Sequence, residues 1–144
     1  MAIVIRDFTS SDMEDVIRIW LDASVKAHDF VDPRFWHSKV GDMEGTYIPA
    51  SETYVYEDEA GIKGFFSLHE NTLAAVFVSP EHQDEGIGRA LVARAKQLRR
   101  ELELSVYKEN PKAVRFYERC GFEAVSEKTD EHTGQPEWVM RCCS

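Results

Sequence analysis

Positive charge falls short of negative in this 144-residue chain, where 17 Lys and Arg face 26 Asp and Glu for a formal net charge of −9. A surface of that sign disfavours nucleic acid and anionic membranes as partners and mildly favours cationic ones. Cysteine is scarce too. Cys120, Cys142 and Cys143 are odd in number, and adjacent cysteines neither bridge readily nor fit a C-x-x-C zinc pair, so free thiols and no metal are expected. No apolar run is long enough to span a bilayer. The opening Met-Ala-Ile-Val-Ile-Arg-Asp lacks the basic and apolar regions of a secretory leader, which makes the cytoplasm the expected location. No repeat, low-complexity tract or linker marks a boundary. Residues 1–144 are therefore expected to form one domain, large enough to bury about 70% of its unfolded surface.

What is present is a sequence of well-punctuated elements. Residues 3–8 alternate as a first strand, and Ser11-Asp12-Met13-Glu14 matches the capping box of a helix. That helix carries Met13, Val16, Ile17, Trp20, Leu21 and Ser24 on one face and fades near His28. Asp32-Pro33 reads as the N-cap and first-turn proline of a second, weaker helix. Its face is Trp36, Val40, Met43 and Tyr47, it stops at Pro49, and Gly41 and Gly45 argue against it. Residues 53–57, 62–69 and 73–78 form an expected antiparallel meander with turns at 58–61 and Asn71. A helix over 87–98, with Leu91, Ala95 and Leu98 buried, leads to a strand over 102–107 that runs parallel to 73–78 as a crossover. Asn110-Pro111 opens a further helix that carries Val114, Phe116, Tyr117 and Cys120 to Gly121. Strands over 122–125 and 138–142 close the chain around a polar loop, 127–136. The fold class is α/β (α+β).

The chemistry concentrates in residues 73–91, where an apolar strand ends at Ser79-Pro80 and a polar loop leads through Gly86-Ile87-Gly88 into a helix. Glycines at a helix mouth allow close approach to its unpaired N–H groups, a setting suited to phosphate. Two phosphate motifs fail: the P-loop pattern is absent, and a dinucleotide fingerprint needs Gly or Ala where Leu91 stands. Gln83-x-x-Gly86-x-Gly88 after the strand instead resembles the pyrophosphate loop of the GNAT superfamily of acyl-CoA-dependent N-acetyltransferases. Ala113-x-x-Phe116-Tyr117-x-x-x-Gly121-Phe122 is similar to a second motif of that family, and the element order matches over essentially the whole chain. Trp20, His28-Asp29-Phe30 and Pro136-x-Trp138 resemble its small bacterial YiaC/YjaB-like branch.

The resemblance implies a GNAT fold with a mostly antiparallel mixed sheet of about six to seven strands, splayed between the fourth and fifth and flanked by about four helices. It implies acetyl-CoA as cofactor and direct transfer of the acetyl group to a primary amine in a ternary complex. The expected acceptor is a protein lysine, an amino terminus or a small amine such as a polyamine, and a monomer or homodimer is expected. Pantetheine is expected against the main chain of Phe77 and Val78, with Val78 N–H polarising the thioester carbonyl. The pyrophosphate is expected on Gln83, Asp84, Glu85, Gly86, Ile87, Gly88 and Arg89. Asn110 serves as helix cap, cofactor contact or both. Tyr117 matches the tyrosine that protonates the departing thiolate, and a phenol with a pKa near 10 keeps its proton at neutral pH. Glu70, with His69 beside it, is the expected base, while Trp20, His28, Phe30 and Trp138, together with Phe35 and Trp36, flank the acceptor. The loop Glu81-His82-Gln83-Asp84-Glu85 is acidic where basic residues are common, which predicts modest or salt-sensitive cofactor affinity unless Asp84 and Glu85 project outward. The competing reading is a non-catalytic acyl-CoA-binding sensor or interaction module.

Overall fold

A computed structural model describes residues 3–143. Strand β1 (Val4–Asp7) forms as expected, but the cap of the following helix begins at Thr9 instead of Ser11. The Asp12 carboxylate accepts the Thr9 amide at 2.8 Å and both ends of the Arg6 guanidinium at 2.8 and 3.0 Å. Arg6 also reaches Glu57 at 3.0 Å. These bonds fix the chain's entry into α1 (Met13–Ala27), which buries Val16, Ile17, Ile19, Trp20, Ala23 and Ser24.

The second expected helix is broken up. α2 (Pro33–Ser38) opens on an Asp32 side chain that accepts the Arg34 amide, and short helical turns follow at Val40–Asp42, Met43–Tyr47 and Ile48–Ala50. The middle turn is a wide π turn. Only Trp36 of the expected face is buried, and Tyr47 is half exposed. With no packed stripe to hold it and two glycines of low helical propensity, the segment does not persist as one regular helix.

Strands β2 (Glu52–Asp58), β3 (Gly61–His69) and β4 (Thr72–Val78) form the antiparallel meander. α3 (Ile87–Leu98) then crosses over to β5 (Leu102–Tyr107). Leu91 and Ala95 of α3 are buried as expected, joined by Ile87 and Val92, whereas Leu98 lies at the exposed end. α4 (Pro111–Arg119) leads to β6 (Glu123–Thr129) and β7 (Pro136–Cys142), so the polar loop is shorter than expected. The seven strands make one sheet in the order β1-β2-β3-β4-β5-β7-β6.

The sheet is the middle of three layers. Alternation along β3 sends Phe66 and Leu68 to the α3 and α4 side, where Leu91, Leu104, Phe122 and Met140 pack, and Phe65 to the α1 and α2 side with Val16, Ile19, Trp20 and Trp36. β4 and β5 are parallel neighbours that register at one pair alone, Thr72 opposite Glu103. Just beyond that pair Ala74 is an extra residue, because Leu73 faces Leu68 while Ala75 faces Ser67. A bulge bends its strand, and from here the two strands diverge.

Cys142 and Cys143, expected as free thiols, are bonded to each other with an Sγ–Sγ distance of 2.12 Å. The left-handed backbone of Cys143, φ +76°, turns its side chain back toward its neighbour where an extended strand would send the two apart. Cys120 remains a free thiol.

Candidate active site

The divergence of β4 from β5 opens a cleft of about 590 Å³. Its walls are β4 from Leu73 to Val78, β5 from Leu104 to Tyr107, the end of α1 and the start of α4. Pairing with β3 decides which main-chain groups of β4 face it. Ser79 N–H donates to Lys63 carbonyl at 2.9 Å, and Phe77 lies opposite Phe65 in the same register. Since an antiparallel pair alternates bonded and non-bonded positions, Ser79 and Phe77 point their groups at β3. Val76 and Val78 point theirs at the gap. The Phe77 main chain, expected to face the gap, is thus turned to β3 and that of Val76 faces the gap instead, while Phe77 packs its ring on Phe65 at 5.6 Å. The Val78 carbonyl accepts Gln83 Nε2 at 3.3 Å.

Beyond Val78 the loop reaches Gly86, whose φ of +86° suits glycine although a Cβ there would meet nothing. Gly88 is favoured for a different reason: a Cβ would stand a tight 3.2 Å from Cζ of Phe116. Backbone geometry at Gly86 and α3–α4 packing at Gly88 thus favour glycine in addition to the expected room for a ligand. The first bond within α3 runs from Ala90 N–H to Gly86 carbonyl, so the amides of Ile87, Gly88 and Arg89 precede the helix's own ladder and suit an anion.

Gln83, Asp84, Gly86, Gly88, Arg89 and Asn110 line the cleft. Glu85 does not, and the Ile87 side chain is in the core. Asp84 and Glu85 are turned to solvent, with Lys112 Nζ 3.6 Å from the Asp84 carboxylate and His82 Nδ1 3.5 Å from that of Glu85. Lys112 thereby offsets part of the loop's negative charge.

Asn110 caps α4 by accepting the Ala113 amide at 3.3 Å, and its Nδ2 lies 3.4 Å from His28 Nε2. Burial lowers the His28 pKa to about 4, so the ring is neutral. With Asn110 as donor, Nε2 accepts and the ring proton sits on Nδ1. Among the described residues three buried side-chain polar atoms have no partner: Ser24 Oγ, His28 Nδ1 and Trp36 Nε1. All three belong to residues that line this cleft. Buried polar atoms are rarely left unpaired, and three at one place fit a ligand rich in carbonyl and amide groups.

Tyr117 lines the cleft from α4 between Phe116 and Phe122, and burial raises its phenol above the ordinary value. Cys120, beside it, is raised by burial as well. Glu70 is not brought to this site. It sits exposed on the β3–β4 turn with φ +55°, its carbonyl accepts Arg99 Nε at 2.8 Å, and it lines neither the cleft nor its neighbour. The turn lies at the closed end of the strands, while the cleft opens at the other.

A second cavity, of about 520 Å³, adjoins the first on the α1 and α2 face. The two share Trp36, Leu73, Ala74, Ser105, Tyr107 and Glu137. Trp20 and Phe35 line the second cavity, His28 lines the first, and Phe30 packs on Tyr107 at 5.4 Å without lining either. Trp138 is displaced from its expected place by alternation. It points to the opposite face of β7, under Lys108 Nζ at 4.1 Å, and leaves its neighbour Glu137 facing the cavities.

The sequence reading missed Tyr107, Asp130 and Glu137. Tyr107 donates a short hydrogen bond to Asp130, which also accepts Thr133 Oγ1 at 3.0 Å and the His132 amide at 3.1 Å. Burial disfavours the Asp130 carboxylate, yet these donors together hold it below the ordinary value. Glu137 behaves oppositely: burial first, then the Asp130 charge, raise it, with Lys128 at 3.9 Å opposing. The register that places Glu137 opposite Tyr107 is the signal that finds it.

Residues 49–124 match a family model described as an acetyltransferase (GNAT) domain. The chain is 30% identical over 138 residues to the peptidyl-lysine N-acetyltransferase YiaC of Escherichia coli strain K12, covering 95% of this chain and 94% of that protein. It is 28% identical over 137 residues to the peptidyl-lysine N-acetyltransferase YjaB of the same strain, covering 94% and 92%. The solution structure of apo YjaB from Escherichia coli superposes with a TM-score of 0.85 at 26% identity, covering 99% of this chain and 98% of that one. The PaiA N-acetyltransferase of Thermoplasma acidophilum, solved with coenzyme A, shares the fold with a TM-score of 0.82 at 18% identity, covering 100% of both chains.

Proposed function

This chain belongs to the GNAT acetyltransferases, and from that premise we propose that it acetylates lysine side chains of proteins through the residues of the splayed cleft. It is an N-acetyltransferase that passes the acetyl group of acetyl-CoA to a primary amine. The observation that carries the finer reading is the meeting of two cavities at the divergence of β4 and β5. One is lined by free main-chain groups and a helix N-terminus, the other by aromatic rings with two carboxylates, Asp130 and Glu137, and two lysines, Lys39 and Lys128. The names of YiaC and YjaB support a lysine acceptor. An aromatic-walled cavity with acidic groups suits a slender cationic arm.

Acetyl-CoA supplies an acetyl group activated as a thioester. On this reading Val76 and Val78 bind the pantetheine amides as a neighbouring strand would, with Val78 N–H aimed at the thioester carbonyl. The amides of Ile87, Gly88 and Arg89 hold the pyrophosphate, helped by the Arg89 side chain and Gln83. Asn110 orients His28 while capping α4. Tyr117 holds the proton destined for the thiolate, and its raised pKa keeps that proton in place over the working pH range.

The reading takes residues 1–144 as one domain, because one sheet draws strands from Val4 to Cys142. It places the enzyme in the cytoplasm, where acetyl-CoA meets protein lysines, and no described helix is long and apolar enough to cross a membrane. The net charge of −9 supports a cationic protein over nucleic acid as partner. Coenzyme A release measured across lysine peptides, free amino termini and polyamines tests the acceptor class. Turnover confined to polyamines would overturn the lysine reading.

A further inference from the structure

The second cavity has two carboxylates in its lining, Asp130 and Glu137, and Glu137 is the one that also lines the acyl cleft. Its side chain is only 13% exposed and lies at the mouth between the two spaces. Facing it are Tyr107 and Ser105 from β5, Lys128 from β6, Asp130 and His132 from the β6–β7 loop, and His28, Trp36 and Lys39 from the helical side.

We propose that Glu137 is the general base that takes the proton from the acceptor amine, and that Asp130 anchors the same amine as an ammonium ion before it reaches the mouth. This rests on the N-acetyltransferase reading above.

The two carboxylates are fitted to different tasks. Asp130 is held by three donors, Tyr107 Oη, Thr133 Oγ1 and the His132 amide, so it stays ionised and keeps little free basicity. Glu137 has one loose ion pair, to Lys128, and stands in a dry setting beside another negative charge. A pair of carboxylates pushed apart in proton affinity divides the work of binding charge and moving protons. A lysine amine near pKa 10.4 is uncharged in only about one molecule in a few thousand at pH 7, so a base at the point of attack is worth substantial rate.

Glu137 takes one proton from the ammonium group. The neutral nitrogen attacks the carbonyl carbon, a C–N bond forms, and the C–S bond breaks with its electron pair on sulfur. Tyr117 protonates that sulfur, the second proton on nitrogen returns through water to the Tyr117 phenolate, and Glu137 releases its own proton to solvent. Ammonium and thioester become amide, thiol and one proton.

Glu137→Gln tests this with a lysine peptide as acceptor. The expected result is a kcat lower by about 100-fold, loss of the acid limb of the pH–rate profile, acceptor KM within about three-fold of wild type, and unchanged coenzyme A binding by calorimetry. Glu137→Asp is expected to keep the acid limb at reduced kcat. Asp130→Asn is expected to raise acceptor KM about ten-fold with kcat nearly intact. In protein labelled with ¹³C at glutamate Cδ, one resonance titrating above the ordinary glutamate range is expected to vanish in Glu137→Gln without any turnover. A Glu137→Gln enzyme with wild-type kcat and acid limb overturns the inference and leaves the acetyltransferase reading intact. If that variant fails to bind coenzyme A, the Glu137→Asp profile and the wild-type resonance decide instead. A wild-type enzyme that binds coenzyme A but acetylates no amine overturns both.

Discussion

Thr72 of β4 stands opposite Glu103 of β5, and no further pair registers between these two parallel strands. The Glu103 amide, donating to Asn71 carbonyl at 2.9 Å, ties off the closed end. The cleft lies on the open side of this pair, where Val76 and Val78 pair with β3 but have no partner on the β5 side.

Replacing Tyr117 with Phe removes one hydroxyl from a half-buried ring that keeps its contacts with Phe116 and Phe122. The expected result is a kcat lower by about 10²-fold, the usual scale for a lost general acid, with coenzyme A affinity unchanged in calorimetry. Unchanged turnover would leave Tyr117 a packing residue.

Gly86→Ala and Gly88→Ala are each expected to cost about 1 kcal/mol of stability in urea melts, for different reasons. Alanine at Gly86 is strained by φ +86° in open space. Alanine at Gly88 presses a Cβ on Phe116 at 3.2 Å and shifts α4. Only the second is therefore expected also to lower kcat, through Tyr117 on the same helix.

Asp84 tests the acidic loop. Its φ of +67° is one that asparagine tolerates, so Asp84→Asn removes charge without strain. Coenzyme A binding is expected to tighten about two- to three-fold at low ionic strength, and the gain is expected to vanish in high salt as screening sets in. No salt dependence of the difference would mean that Lys112 already cancels the charge locally.

Acid lability is expected from Asp12, whose pKa is lowered chiefly by the hydrogen bond from Arg6. The folded value lies below the unfolded one, so the stabilisation is fully present above the ordinary aspartate pKa of about 3.9 and is lost as pH falls through the folded value. Arg6→Ala leaves the Asp12 carboxylate without its main partner and is expected to destabilise by about 2 kcal/mol at pH 7. Thermal melts against pH for both proteins measure the effect, and parallel curves would remove the pair from the account.

Much of this fold is legible from the chain alone because local and tertiary signals agree. The alternation in 62–69, the glycine turn at 86–88 and Asn110-Pro111 each mark an element that forms close to the expected bounds. The run from Pro33 to Ala50 was not legible as it stands, since its helical spacing has only Trp36 to bury. At the site, the strand and glycine turn that wall the first cleft could be read from glycine spacing and strand order, which are properties of one local segment. The lining of the second cavity could not. Glu137 and Asp130 become neighbours of Tyr107 only through the register of β7 on β5 and the turn beyond β6, and neither lies in a pattern of consecutive residues. Trp138 drew notice as an aromatic, yet a strand sends adjacent residues to opposite faces, and its neighbour Glu137 is the one that lines the cavities. Glu70 failed for a related reason: nearness to β4 in sequence does not say which end of β4 opens.

One measurement tests the central claim most directly: mass-spectrometric mapping of the acetyl group after incubation of wild-type enzyme, acetyl-CoA and a peptide carrying both a free amino terminus and an internal lysine. The account predicts acetylation at the lysine side-chain nitrogen with stoichiometric release of coenzyme A. Binding of coenzyme A with no acetylated peptide, or modification confined to the amino terminus, would contradict it.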